Sequence, residues 1–218
     1  MIKFKIVFMK KLVLVLLTFF SINYFAQITL EDGKDWAKNN GVTLNSNLSS
    51  YIGKAGFAAP IVITRDAGLM IIGEGFEGKS KGAKVVFLNE KKEVIWSHFF
   101  GSKNDNTEAQ SIIEDRTGYF YVFMEAHNKS DAKDTRERVV KVNARGEIQW
   151  DYALEEKEEH YHRHCTYVKL DEDGKRLVLF GTVQPDKVAI ENNEHYSWKA
   201  KLDGNGKLDS EIGELIKD

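Results

Sequence analysis

The chain has 218 residues, 42% of them hydrophobic and 11% aromatic, with only two prolines; that is apolar matter for one sizeable core and excludes the composition of a disordered linker. Lysine and arginine number 31 against 33 aspartates and glutamates, a balance that disfavours nucleic acid as a partner. Cys165 is the single cysteine, so no internal disulfide forms.

Residues 1–26 have the order of a secretory signal peptide. Lys3, Lys5, Lys10 and Lys11 precede the apolar run Leu12 to Phe20, and Ser21 to Ala26 closes on a small residue before Gln27. An uncleaved anchor is the alternative, but the run is short for a span of about 20 residues. Cleavage leaves 27 basic against 33 acidic residues, no cysteine at the new terminus to carry a lipid, and no stable membrane span. The expected product is secreted or periplasmic.

Residues 27–58 are an N-terminal segment, a possible half blade. Ile28 to Trp36 reads as a worn hairpin turning at Asp32-Gly33, and Asn39 to Ser50, rich in Asn, Ser and Gly, reads as loop. The hairpin is spare material to cap the exposed edge of the strands after residue 58, because an open edge strand invites aggregation. No substantial helix is expected after the leader.

From residue 59 one phrase recurs three times: Ala59 to Gly68 to Gly73, Ala109 to Gly118 to Met124, and Cys165 to Gly174 to Gly181, with the turn glycine nine residues after the small residue each time. The glycines stand 50 and then 56 residues apart, a period of about one propeller blade. Each phrase is followed by an apolar run ending at Asn89, Asn143 or Asp203, and seven residues later stand Trp96, Trp150 and Ser210. Turn residues between short β-rich runs read as hairpins. The first unit is therefore four strands, a (Ile61 to Thr64), b (Leu69 to Gly73), c (Lys84 to Leu88) and d (Val94 to Phe99), and the units span 59–108, 109–164 and 165–218. The expected fold is all-β: three four-stranded antiparallel propeller-like blades, a partial or open β-propeller, with an N-terminal capping segment. Cys165 takes the place of Ala59 and Ala109 and reads as a small buried residue rather than a reactive thiol. Trp96 and Trp150 read as core packing in strand d.

The phrases Val140 to Trp150 and Asp115 to Phe123 resemble the repeats of secreted bacterial β-propellers of the kind common in Bacteroidota, whose blades carry a lysine, an apolar residue, Asn or Asp, Gly and Trp in one hairpin. A weaker resemblance is to the tryptophan-docking repeats of quinoprotein dehydrogenases, which need about eight blades. The first resemblance implies a propeller and says little about activity. Propellers close with four to eight blades, whereas three units and a partial one are present. Two copies completing a six-bladed ring, an open capped arc and a fragment of a larger ancestor are the three ways to meet that shortfall.

In a propeller the a-b and c-d turns lie on one face and the b-c and d-a connections on the other. The turns here keep constant length and the connections do not, so binding is expected on the variable face. Its loops are Glu74 to Ala83, Gly101 to Glu108, Glu125 to Glu137, Asp151 to His164 and Thr182 to Ser197, which hold five of the six histidines: His127, His160, His162, His164 and His195. Alternate residues of an extended segment project to one side, so His160, His162 and His164 are candidate ligands for Zn²⁺ or another divalent transition metal, with Glu158 or His195 as a further donor. A solvated polar loop is the plainer reading, and no cofactor is firmly implied. Asp171 to Gly174 and Asp203 to Gly206 lack the later glutamate of a calcium loop and read as β-turns. The resulting expectation is a secreted binding or scaffolding module for a protein, glycan or small ligand, with binding favoured over catalysis. The alternative is a metal-dependent hydrolase or lyase using the loop of His160, His162 and His164.

Overall fold

The computed structural model describes residues 28–46, 58–102, 105–128, 131–154, 162–174, 176–184 and 196–215. The candidate leader lies outside them. A helix, α1 (Leu30–Asn39), precedes twelve strands: β1 (Ile61–Ile63), β2 (Leu69–Glu77), β3 (Ser80–Leu88), β4 (Val94–Phe100), β5 (Asp105–Glu114), β6 (Phe120–Asn128), β7 (Asp131–Val142), β8 (Ile148–Leu154), β9 (His162–Leu170), β10 (Leu177–Gln184), β11 (Tyr196–Leu202) and β12 (Leu208–Leu215). They form three four-stranded sheets, β1 to β4, β5 to β8 and β9 to β12, in each of which neighbours in sequence are antiparallel neighbours in space. Among the described residues the protein is all-β apart from α1.

The sheets stack face to face. Met70, Ile72 and Val85 of sheet one meet Ile112, Val122 and Val140 of sheet two. The opposite face of sheet two, with Tyr121, Phe123 and Val139, meets Val168, Leu179 and Leu202 of sheet three. Burying one such aliphatic side chain contributes about 1.5 to 3 kcal/mol, so these two seams dominate the stability. Residues 58–60 tie the three sheets at their inner edges. The Ala58 amide donates to Val168 O at 3.0 Å, Ala59 exchanges two bonds with Ile112 at 2.9 and 2.8 Å, and the Ile72 amide donates to Pro60 O at 2.9 Å.

The N-terminal segment departs from expectation. Ile28 to Trp36 is not a hairpin, because Thr29 and Asp32 form a capping box: the Asp32 amide donates to Thr29 Oγ1 and the Thr29 amide donates to Asp32 Oδ2 at 2.8 Å. The helix covers a face of sheet one, placing Ile28, Ala37 and Val42 on Ile61, Leu69, Ile71 and Leu88, while Thr43 just beyond it exchanges two backbone bonds with Glu74 at the edge of β2, both at 2.8 Å. A Cβ on Gly33 would lie 2.9 Å from Ile61 Cγ2, so this glycine permits close helix packing where the sequence read a turn.

Two ladders join the sheets at the end that carries the tight turns. Arg65 Nη1 donates to Arg116 O, and Arg116 Nη2 to Glu172 O at 3.4 Å, linking the three a-b turns. Trp96 Nε1 donates to Ala144 O at 3.0 Å and Trp150 Nε1 to Gly204 O at 3.0 Å, so each d-strand tryptophan reaches into the c-d turn of the following sheet. The tryptophans therefore do more than pack in their own strand. The turns they meet share one geometry, in which Asn143 Oδ1 accepts from the Arg145 and Glu147 amides and Asp203 Oδ1 from the Asn205 and Lys207 amides.

Candidate functional site

At the opposite end, β2 and β3 run on to Glu77 and from Ser80, and β6 and β7 to Asn128 and from Asp131. Much of the expected loops Glu74 to Ala83 and Glu125 to Glu137 is therefore paired strand, and polar residues that would have been dispersed in loops are held in register. Glu108 on β5 stands opposite Glu125 on β6, which stands opposite Glu137 on β7. Paired residues share a face and residues two apart along a strand share it too. His127 thus lies beside this row, on the face that packs on sheet three.

The His127 Nε2 atom is 3.8 Å from Glu108 Oε1 and 3.8 Å from Glu125 Oε1, with side-chain exposures of 28% for the histidine, 42% for Glu108 and 12% for Glu125. A β-bulge between Ala109 and Ser111 displaces Gln110 from the ladder. Its Nε2 lies 3.4 Å from Glu125 Oε2 and its Oε1 accepts from Asn45 Nδ2 at 2.7 Å. Held through that oxygen, Glu125 turns the other toward His127. Glu137 is buried and its Oε1 accepts from the Cys165 amide at 2.7 Å, which joins the row to the backbone of β9. The Cys165 thiol donates to Phe180 O and Tyr167 O; burial, then the charge of Glu137, holds its pKa well above the ordinary thiol value, so it stays protonated and poorly nucleophilic.

His127 is thus brought together with Glu108 and Glu125. His162 and His164 belong to strand β9 rather than to a loop, their backbones paired with Gln184 and Thr182. Glu158, His160 and His195 lie outside the described residues. His98, on β4, contacts Gly146 O through Nε2 at 2.7 Å and belongs to the turn-bearing end. Because the Arg116 to Glu172 bond puts the a-b turns of sheets two and three side by side, the start of β9, with His162, is at the end opposite Gly118. Sequence reading missed Glu108, Glu125 and Glu137; the available signal was a glutamate interrupting the apolar alternation at matching distances from the turns of all three strands.

No protein-family model matches the chain, and no curated protein matches it. Among solved structures it is similar to one described as the crystal structure of the eukaryotic initiation factor, at 12% identity and a TM-score of 0.45 over 76% of this chain. The chain spans 35% of that structure's length.

Proposed function

We propose that the protein is a secreted binding module built as an open propeller arc of three blades, resembling the secreted bacterial propeller repeats, and that its ligand face is the rim bearing Glu108, Glu125 and His127. The supporting observation is the contrast between the two ends. One is consumed by turn-to-turn hydrogen bonds that join the sheets. The other gathers ionisable side chains that those structural bonds do not need, where β9 enters with its histidines. Polar groups concentrated on one end of a rigid scaffold are what binding requires.

The residues also support an arc over a completed ring. At the position of Arg65 and Arg116 sheet three has Glu172, and at the position of Trp96 and Trp150 it has Ser210. At the position of Gly146 and Gly206 sheet one has Lys92, whose Nζ binds Asp32 of α1 at 2.6 Å. Sheet three therefore lacks the donors, and sheet one the turn, by which a second copy would continue the ladders.

Photo-crosslinking in the producing cell tests the ligand face. A photoreactive residue at Asn106 is expected to trap a partner, while one at the exposed Asn205 of the opposite rim traps none. Adducts from position 205 alone would reverse the assignment.

A further inference from the structure

We infer that Glu108, Glu125 and His127 hold one divalent transition-metal ion of the zinc class at this rim. The inference rests on the reading of that rim as the ligand face and goes beyond it in naming what is bound. The donor atoms of the three side chains all lie within 4.8 Å of one another, and the two His127 to glutamate separations are 3.8 Å. A tetrahedral ion with bonds of 2.0 to 2.2 Å spaces its donors by about 3.4 Å. Each His127 to glutamate pair therefore closes on an ion by a few tenths of an ångström and the two carboxylates by at most about 1.4 Å, within the reach of side-chain rotation.

Electrostatics favours the same occupant. Like charges directly opposite on neighbouring strands are destabilising, yet Glu108, Glu125 and Glu137 stand abreast, the second and third of them buried. Lys81 is a cation whose charge reaches Glu108, and it is engaged by Glu74 at 2.6 Å. A dication between the carboxylates offsets the repulsion more fully than that shared lysine. The surroundings have the form of ligand support as well. The chain from Asn45 through Gln110 to Glu125 fixes the carboxylate's orientation, the role outer hydrogen bonds play around metal ligands. One imidazole with two carboxylates suits zinc and its neighbours better than magnesium or calcium, which take oxygen alone. Three protein donors leave a coordination position open, as in zinc sites that bind an exchangeable ligand.

The sequence expectation assigned the ion to His160, His162 and His164, and the test separates the two sets. The purified protein is stripped with a chelator, titrated with Zn²⁺ at neutral pH and weighed intact by native mass spectrometry, with calorimetry for affinity. One Zn²⁺ per chain is expected, uncontested by excess Mg²⁺, with affinity falling roughly tenfold or more in Glu125→Gln and in His127→Asn. No retained zinc, or retention unchanged in both variants, overturns the inference. So does zinc that survives both but is lost when His160, His162 and His164 are replaced. If those variants melt early, Glu108→Gln, at the most exposed of the three positions, must show the same loss. No retained zinc together with crosslinks from position 106 would sink the ion and leave the ligand face standing; absence of both would sink both.

Discussion

Gly146 and Gly118 separate two costs that a turn glycine can carry. Both have φ near +80°, at 82° and 83°, so alanine at either meets the same backbone strain, about 1 kcal/mol. They differ in what surrounds them. A Cβ on Gly118 meets nothing within 4 Å, whereas one on Gly146 would lie 2.8 Å from the Trp96 ring. Gly146→Ala must therefore displace the indole and lose its bond to Ala144 O, which adds about 1 kcal/mol or more. Thermal or urea denaturation should rank Gly146→Ala clearly below Gly118→Ala. Equal losses would mean that Trp96 does not join the first two sheets. Gly206 meets Trp150 in the same way, so the joint is a repeated device.

The elements show where the sequence was legible and where it was not. The a-b and c-d hairpins could be read because each is short, apolar and bounded by Asn, Asp or Gly, and the observed strands begin and end within a residue or two of those marks. Strands b and c were underestimated at their outer ends: Glu74 to Ala83 carries glycine and charge, which read as loop, yet the ladder pairs them from Glu74↔Ala83 through Glu77↔Ser80. Pairing there is fixed by the partner strand and not by local preference. The helix was missed for a related reason. Asp32-Gly33 is a turn signal in isolation, but Asp32 belongs to a capping box and Gly33 to a close contact with Ile61, a tertiary fact with no local trace. The candidate site was half legible, His127 from the histidine-rich connections and its glutamate partners only from the register between strands. Thr29→Ala is expected to remove the cap from α1 and cost about 1 kcal/mol. Amide exchange should quicken over residues 30–39 and stay unchanged in sheet three. Uniform quickening across all sheets would indicate that α1 is integral to global folding rather than a local cover.

At the scale of the whole molecule, both ends of the stack are finished. The outer face of sheet one lies under α1. The outer face of sheet three bears Tyr167 and Phe180, stacked at 4.6 Å, with Lys169 and Lys199 ammonium groups 5.3 and 5.5 Å from the Phe180 ring centre. Lysine stems spread over apolar surface keep their charges in water and discourage a further sheet from docking there. Among the described residues the donor ladders also run in one direction, from sheet one to sheet three. On the proposed reading, such a finite arc would leave one rim for a ligand while the turn-to-turn bonds of the other join the sheets.

Size-exclusion chromatography with light scattering, on the chain without residues 1–26, tests that arc most directly. The expected result is the mass of one chain across a wide range of concentrations, unchanged when Lys169 and Lys199 are replaced by glutamate. A stable species of twice that mass, dissociated by charge reversal at Lys169 and Lys199 or by breaking the Lys92 to Asp32 pair, would mean that the blades are completed between copies and would contradict the account.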